Sequence, residues 1–155
     1  MLPKRRAPAH PTLVERTERP IIVFVTVCTD KRKPVLANAE GMRLLADAWR
    51  KAGEWLVGRF VIMPDHVHLF CSPATRNACP LGKWVAYWKS LSSKNWPQRD
   101  DLPVWQKDFW DRQLGREDSY GTKWEYVRCN PVRHRLVAAP EQWPYQGELN
   151  KLRWE

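Results

Sequence analysis

GEWLVGRFVIMPDHVHLFCSP, residues 53–73, decides the fold. An apolar, β-branched run leads up to Met63, Pro64-Asp65 interrupts it, and HVHLFC resumes it before Pro73. Two strand-like runs joined by a Pro-Asp turn make a hairpin. Upstream, PIIVFVTVCT (20–29) is a continuous apolar run of the kind a strand buried on both faces requires. Between these segments Asn38 suits a helix N-cap, and Leu44, Leu45, Ala48, Trp49 and Ala52 share one face of a helix that Gly53 ends. Downstream, Pro80 opens a second helix reaching about Asn95, with Leu81, Trp84, Val85, Trp88 and Leu91 on one face. VWQKDFWDRQ (104–113) reads as a short strand or extended segment. Glu117 to Asn130 reads as a third helix, stopped by Pro131 because the residue before a proline resists helical geometry.

The order β-α-β-β-α-β followed by a helix predicts an α+β, ferredoxin-like split βαβ fold. Its sheet is antiparallel, with two helices on one face and a late helix after the last strand. Residues 20–137 make the domain. Residues 1–19 form a basic arm, and 138–155 form a C-terminal tail that wraps irregularly over the core. A chain of 155 residues suffices for one core without disulfide staples. Its four cysteines form no CxxC pair, which argues against a zinc site or a disulfide framework.

The longest apolar run, Ile21 to Cys28, is far short of the roughly 20 residues that span a bilayer. The basic N-terminus has no apolar segment of the kind a secretory signal carries, so a cytoplasmic location is expected. A net charge of +9 favours a polyanionic partner. Ten tryptophans are present. Most suit a core, but Trp84, Trp88, Trp96 and Trp105 stand near Lys83, Lys89, Lys94 and Lys107, an interleaving that fits a groove for unpaired bases.

His66 and His68 alternate with Val67, so on a strand both imidazoles project from one face while Val67 and Leu69 face the core. Such a pair fits two structural histidines or half of a metal site. Tyr126 and Asn130 are four apart and stack on one helical face. Asn130 offers a neutral carbonyl oxygen suited to Mg²⁺ or Mn²⁺. These pieces combine into a mechanism in which a metal polarises a phosphate and the Tyr126 oxygen attacks it in line.

The stretches VIMPDHVHLF (61–70), VWQKDFWDRQL (104–114) and EYVRCNPVRHRLV (125–137) resemble the single-tyrosine HUH transposases, and within them the REP-associated tyrosine transposases. The resemblance implies that His66, His68 and Asn130 hold the metal and that Tyr126 is the nucleophile. It implies nicking and rejoining of single-stranded DNA at hairpins of palindromic repeats, through a 5′-phosphotyrosine bond and without ATP. It also implies either a monomer or a homodimer, since insertion-sequence relatives exchange their tyrosine helices.

Tyr120 competes for the nucleophile role, but six positions at about 100° each put it on another face. Lys83, Lys89 and Lys94, then Gln106, Lys107 and Arg112, then Arg128, Arg133 and Arg135, are candidate phosphate contacts. Arg5 and Arg6 could act as an arm in a groove. Two other readings stand beside the transposase: a domesticated DNA- or RNA-binding protein that no longer cuts, and a metal hydrolase using both histidines with Asp65.

Overall fold

The β-branched run forms strand β1 (Val23–Cys28), and β1 lies inside the sheet with a hydrogen-bonded neighbour on each side. The structure, a computed structural model, describes residues 20–154, so the expected basic arm over residues 1–19 lies outside the described residues. Helix α1 (Ala39–Lys51) follows, then the hairpin strands β2 (Trp55–Ile62) and β3 (His66–Pro73) and helix α2 (Leu81–Lys94). Next come β4 (Trp110–Gln113), α3 (Tyr120–Arg128), the short α4 (Asn130–Arg133) and β5 (Gln146–Glu148). The strands lie in the order β4-β1-β3-β2-β5, and every neighbouring pair is antiparallel. The first four strands give the expected ferredoxin-like sheet.

Side-chain alternation sorts the sheet into two apolar layers. Val25, Val27, Val67 and Leu69 point to one face and pack with Leu45, Trp49, Trp84 and Trp88 of α1 and α2. Val61 and Phe70 point to the other and pack with Leu114, Trp124, Val127, Trp143 and Trp154. Helix α3 therefore covers the face opposite α1 and α2. Asn38 caps α1 as expected, its side-chain oxygen accepting from the Gly41 N–H at 2.8 Å.

Several expectations need correction. The third helix does not run from Glu117 to Asn130. Its start is set by Ser119, whose hydroxyl accepts from the Thr122 N–H, and it ends at Arg128. Pro131 does not terminate the helical path. It occupies the first turn of α4, where its missing N–H is not needed, so Asn130 starts a new turn. The segment 104–109 is not strand; Trp105 makes one isolated bridge to Thr29 before β4 begins.

Residues 138–154, expected as an irregular wrap, contribute β5 along the edge of β2 and bury Trp143 and Trp154. Trp84, Trp88, Trp96 and Trp105 are buried as well, so they offer no base-stacking groove. Most of their indole N–H groups also find acceptors inside the fold: Trp84 donates to the Ala52 carbonyl, Trp96 to Asp101 and Trp105 to Ser92.

β2 is irregular between Val57 and Phe60. A bulge there turns the Arg59 N–H out of the ladder, and the Tyr120 hydroxyl accepts it at 2.9 Å. Gly58 makes room for that hydroxyl. A Cβ on Gly58 would sit 2.5 Å from the Tyr120 oxygen and 2.6 Å from Leu152 Cδ1.

Candidate active site

Alternation along β3 places His66 and His68 on the α3 side of the sheet, as Val67 and Leu69 enter the α1/α2 layer. Their ring centroids are 4.7 Å apart. Each ring is oriented through its Nδ1. His68, fully buried, pairs Nδ1 with the Thr26 hydroxyl at 2.8 Å across the β1–β3 ladder and stacks on Phe24. Its Nε2 is buried and has no partner among the described residues. His66 Nδ1 lies 2.7 Å from Asp65 Oδ1, which fixes the proton on Nδ1 and leaves the Nε2 lone pair available.

Both imidazoles are held neutral. Burial pushes the His68 pKa well below its ordinary value, with the neighbouring His66 adding to the effect. Burial also lowers His66, although Asp65 opposes it. Burial would raise the Asp65 carboxyl, but hydrogen bonds from Arg32 and His66 outweigh it and hold the group below the usual range. The Asp65–His66 contact is thus a carboxylate accepting from a neutral ring, not an ion pair.

Arg32 closes on this pair from the turn after β1. Its Nε donates to Asp65 Oδ2 at 3.0 Å. Its second guanidinium nitrogen is 3.4 Å from His66 Nδ1. That distance is a contact between two donors, because the Nδ1 proton belongs to the shorter bond to Asp65. Lys31 and Arg32 both take φ of 55°, a left-handed conformation costing about 1–2 kcal/mol for each residue with a side chain. Thr29 holds the turn: its N–H donates to the Asp65 carbonyl at 2.9 Å, and its hydroxyl lies 3.1 Å from that carbonyl and 2.9 Å from the Lys33 carbonyl. The charged stretch DKRKP (30–34) reads as a turn, but no glycine in it signals the left-handed residues.

Helix α3 packs on the same face of the sheet as the histidines, and α4 follows it. The Tyr126 ring is 49% exposed, while Asn130 is only 2% exposed. Arg133 joins them. One guanidinium nitrogen donates to the Tyr126 carbonyl and to Asn130 Oδ1, each at 2.7 Å. Its guanidinium carbon sits 4.1 Å from the Tyr126 ring centroid. Asn130 Nδ2 is buried without a partner among the described residues.

The end of α4 reaches the imidazoles. The His134 ring is 6.3 Å from His66, and the charges of Arg133 and His134 act on His68. His134 was not among the candidates, because its element gave no spacing that tied it to the HxH strand. Tyr120 is placed elsewhere in function: half-buried against β2, its hydroxyl is pushed up to about 12 by burial.

Among the described residues, no group of three or more His, Cys, Asp or Glu side chains could hold a metal. A cation at the histidine pair therefore needs a different third donor. The orphaned His68 Nε2 and the His66 Nε2, whose ring partner Nδ1 is bonded to Asp65, are nitrogen donors of the kind a divalent ion takes, while Asn130 Oδ1 is engaged by the Arg133 guanidinium at 2.7 Å and would have to exchange that partner for the ion.

The basic candidates are dispersed. Lys83 is exposed on α2, on the sheet face opposite the histidines. Lys89 turns inward, its ammonium donating to the Gln106 carbonyl at 2.9 Å and the Asp108 carbonyl at 3.3 Å, and burial brings its pKa down to about 8. Gln106 is half-buried and Lys107 exposed. Arg112 is exposed on β4 opposite Phe24, so it shares the histidine face. Arg128 pairs with Glu125 at 2.9 Å. Lys94, Arg133 and Arg135 are exposed.

The family model for IS200-like transposases matches residues 20–126. A Haemophilus influenzae protein assigned as a REP-associated tyrosine transposase is 25% identical over 97 residues, 56% of this chain and 54% of its own length. An Escherichia coli K12 REP-associated tyrosine transposase is 22% identical over 91 residues, 57% of this chain and 52% of its own. This chain thus spans about half the length of the curated relatives it matches.

Among solved structures, a REP-associated tyrosine transposase bound to a REP hairpin superposes with a TM-score of 0.68. It has 19% identity, and the match covers 88% of this chain and 82% of that one. A Deinococcus radiodurans protein described as a transposase gives a TM-score of 0.51 at 19% identity, covering 84% of this chain and all of that one. At these identities the two structures support the fold alone.

Proposed function

Since the chain belongs to the IS200-like transposase family, we propose that it nicks and rejoins single-stranded DNA at hairpins of palindromic repeats, with Tyr126 as nucleophile. The observation that carries this reading is the imidazole pair on β3, with ring centroids 4.7 Å apart and the buried His68 Nε2 unpartnered among the described residues, met by the end of the tyrosine-bearing segment. Of the two tyrosines on α3, only Tyr126 is exposed beside that segment's cations, while Tyr120 is committed to the β2 bulge. A hairpin partner is supported by the relative whose structure holds a REP hairpin.

His66, His68 and Asn130 would hold Mg²⁺ or Mn²⁺. When bound, such an ion offsets negative charge on the phosphate oxygens and favours the phenolate form of a tyrosine whose free pKa is about 10. Asp65 and Thr26 orient the two rings. The Tyr126 oxygen attacks phosphorus in line, forming the O–P bond as the P–O3′ bond breaks. The phenol proton goes to solvent, and the departing 3′ oxygen takes up a proton. The 5′ phosphate stays on Tyr126, and attack by a 3′-OH reverses the step, so no ATP is consumed. Arg112 shares the histidine face and Arg133 touches Tyr126 and Asn130, so both would supply phosphate contacts, and Arg128 would join them on releasing Glu125. Lys107 and Gln106 would act further along the DNA strand, whereas Lys83, on the opposite sheet face, would not reach it.

The test is incubation with single-stranded hairpin oligonucleotides and Mg²⁺ or Mn²⁺, followed by denaturing electrophoresis. A denaturation-resistant protein–DNA adduct is expected, and Tyr126→Phe removes it. Tight hairpin binding with no adduct over a panel of hairpins would instead favour a binding protein that no longer cuts. Metal-dependent cleavage that persists in Tyr126→Phe would favour a hydrolase.

A further inference from the structure

We propose that Arg32 and Asp65 are positioning residues that lock His66 in its Nδ1-protonated form, so that Nε2 faces the metal. This rests on the metal reading above for its purpose, but the lock itself is a matter of protein geometry. Asp65 Oδ1 takes the Nδ1 proton at 2.7 Å, and Asp65 Oδ2 takes the Arg32 Nε proton at 3.0 Å. One carboxylate is thereby fixed at both oxygens, and rotation about its terminal bond would break two hydrogen bonds at once. Asp65 lies in the β2–β3 turn and Arg32 in the turn after β1. The two turns are stitched by the Thr29 N–H on the Asp65 carbonyl and by the Leu36 N–H on the Pro64 carbonyl at 3.0 Å.

The backbone supports the assignment independently. Lys31 and Arg32 are consecutive left-handed residues, neither of them glycine. Such strain persists where the surroundings over-determine it, and it gathers at sites where a side chain must be aimed. Here the strained turn delivers the guanidinium to Asp65. A residue needed only for the turn would be better as glycine.

That contrast supplies the experiment. Arg32→Gly relieves the backbone and removes the guanidinium, whereas Lys31→Gly relieves the backbone and keeps it. Titration of the protein with Mn²⁺ alone should show weaker binding for Arg32→Gly and unchanged binding for Lys31→Gly, with neither variant melting below the parent. Asp65→Ala should weaken Mn²⁺ binding by about 10- to 100-fold, the usual range for an outer partner of a metal-bound histidine. Asp65→Asn keeps the acceptor for Nδ1 but turns a donor toward Arg32, so it should restore only part of it, to about the level of Arg32→Gly.

The ¹⁵N NMR pattern of His66, recorded without metal, should show a protonated Nδ1 in the parent and in Asp65→Asn, and a shift toward protonated Nε2 in Asp65→Ala. A parent with Nε2 protonated overturns the proposal. So does a folded Asp65→Ala that keeps both the parental pattern and the parental Mn²⁺ affinity. Unchanged Mn²⁺ binding in Arg32→Gly removes Arg32 from the pair. If the parent binds no Mn²⁺, the metal reading fails, while the NMR pattern still decides the lock.

Discussion

The two tyrosines of α3 should separate stability from chemistry in opposite directions. Tyr120→Phe deletes a hydroxyl that accepts the Arg59 N–H at 2.9 Å in the β2 bulge, and the ring itself stays packed edge-on to Phe70. The orphaned donor lies partly buried under Tyr120 and Leu152, where water replaces the lost acceptor poorly. Leaving such a donor unpaired costs about 1–3 kcal/mol. For a domain of this length each kcal/mol moves Tm by roughly 2–4 °C, so a drop of roughly 2–12 °C follows. The covalent adduct with hairpin DNA should survive, assayed below the lowered Tm.

Tyr126→Phe should do the reverse. Its ring is 49% exposed, and the phenyl group retains the Arg133 stacking at 4.1 Å, so stability should change by no more than about 0.5 kcal/mol. The adduct should vanish. Differential scanning calorimetry and denaturing gels on the same preparations read both quantities. An adduct in Tyr126→Phe, or its loss in a folded Tyr120→Phe, refutes the reasoning.

Gly58→Ala should destabilise more than Tyr120→Phe, because its Cβ meets Leu152 as well as the hydroxyl, and the double variant should recover only part of the loss; urea midpoints check this. Acid should destabilise the fold. His66 and His68 titrate below the ordinary value of about 6.5, so the unfolded chain takes up protons that the native state refuses. Their contribution is complete above about 6.5 and is lost as pH falls toward the native values. The urea midpoint at pH 5.5 should lie below that at pH 7.5, and equal midpoints would contradict the assignment.

Arg133→Ala should reduce the salt slope of hairpin binding by about 0.7–0.9, the effect of one lost phosphate contact, while Lys89→Ala leaves the slope alone because its ammonium already serves two carbonyls. Asn38→Ala should cost about 1 kcal/mol through loss of the α1 cap, with no change in adduct yield.

The sheet was readable because its inner strands carry their burial in their composition. β1 is apolar but for Thr26, and β3 begins with an alternation so plain that the facing of His66 and His68 follows from Val67 and Leu69. β5 was not readable: Gln146–Glu148 is short, polar and at an edge, and its pairing comes from β2 rather than from its own side chains. The spacing of Tyr126 and Asn130 suggested one continuous helix, whereas Pro131 made the chain restart its hydrogen bonding at Asn130. Tryptophan beside lysine looked like a nucleic-acid surface, yet a lysine next in sequence says little about where an indole points. Lys89 extends to the loop carbonyls while neighbouring Trp88 is fully buried. Arg32 was invisible for a related reason. Left-handed backbone is usually signalled by glycine, and here the turn is held instead by Thr29, which bonds the Lys33 carbonyl and the distant Asp65 carbonyl.

The two apolar layers are supplied by different parts of the chain. Apart from Tyr145 and Leu149 at its margin, the α1/α2 side is built from residues no later than Phe109. The histidine side needs Leu114, Trp124, Val127, Trp143 and Trp154. During synthesis the first hemisphere can therefore close while Phe70 and the imidazoles still face water, and the second is sealed only when the final indole arrives to donate to the Asp118 carbonyl. A chain clipped after Val137 would keep its scaffold hemisphere but lose the lining behind its reactive one.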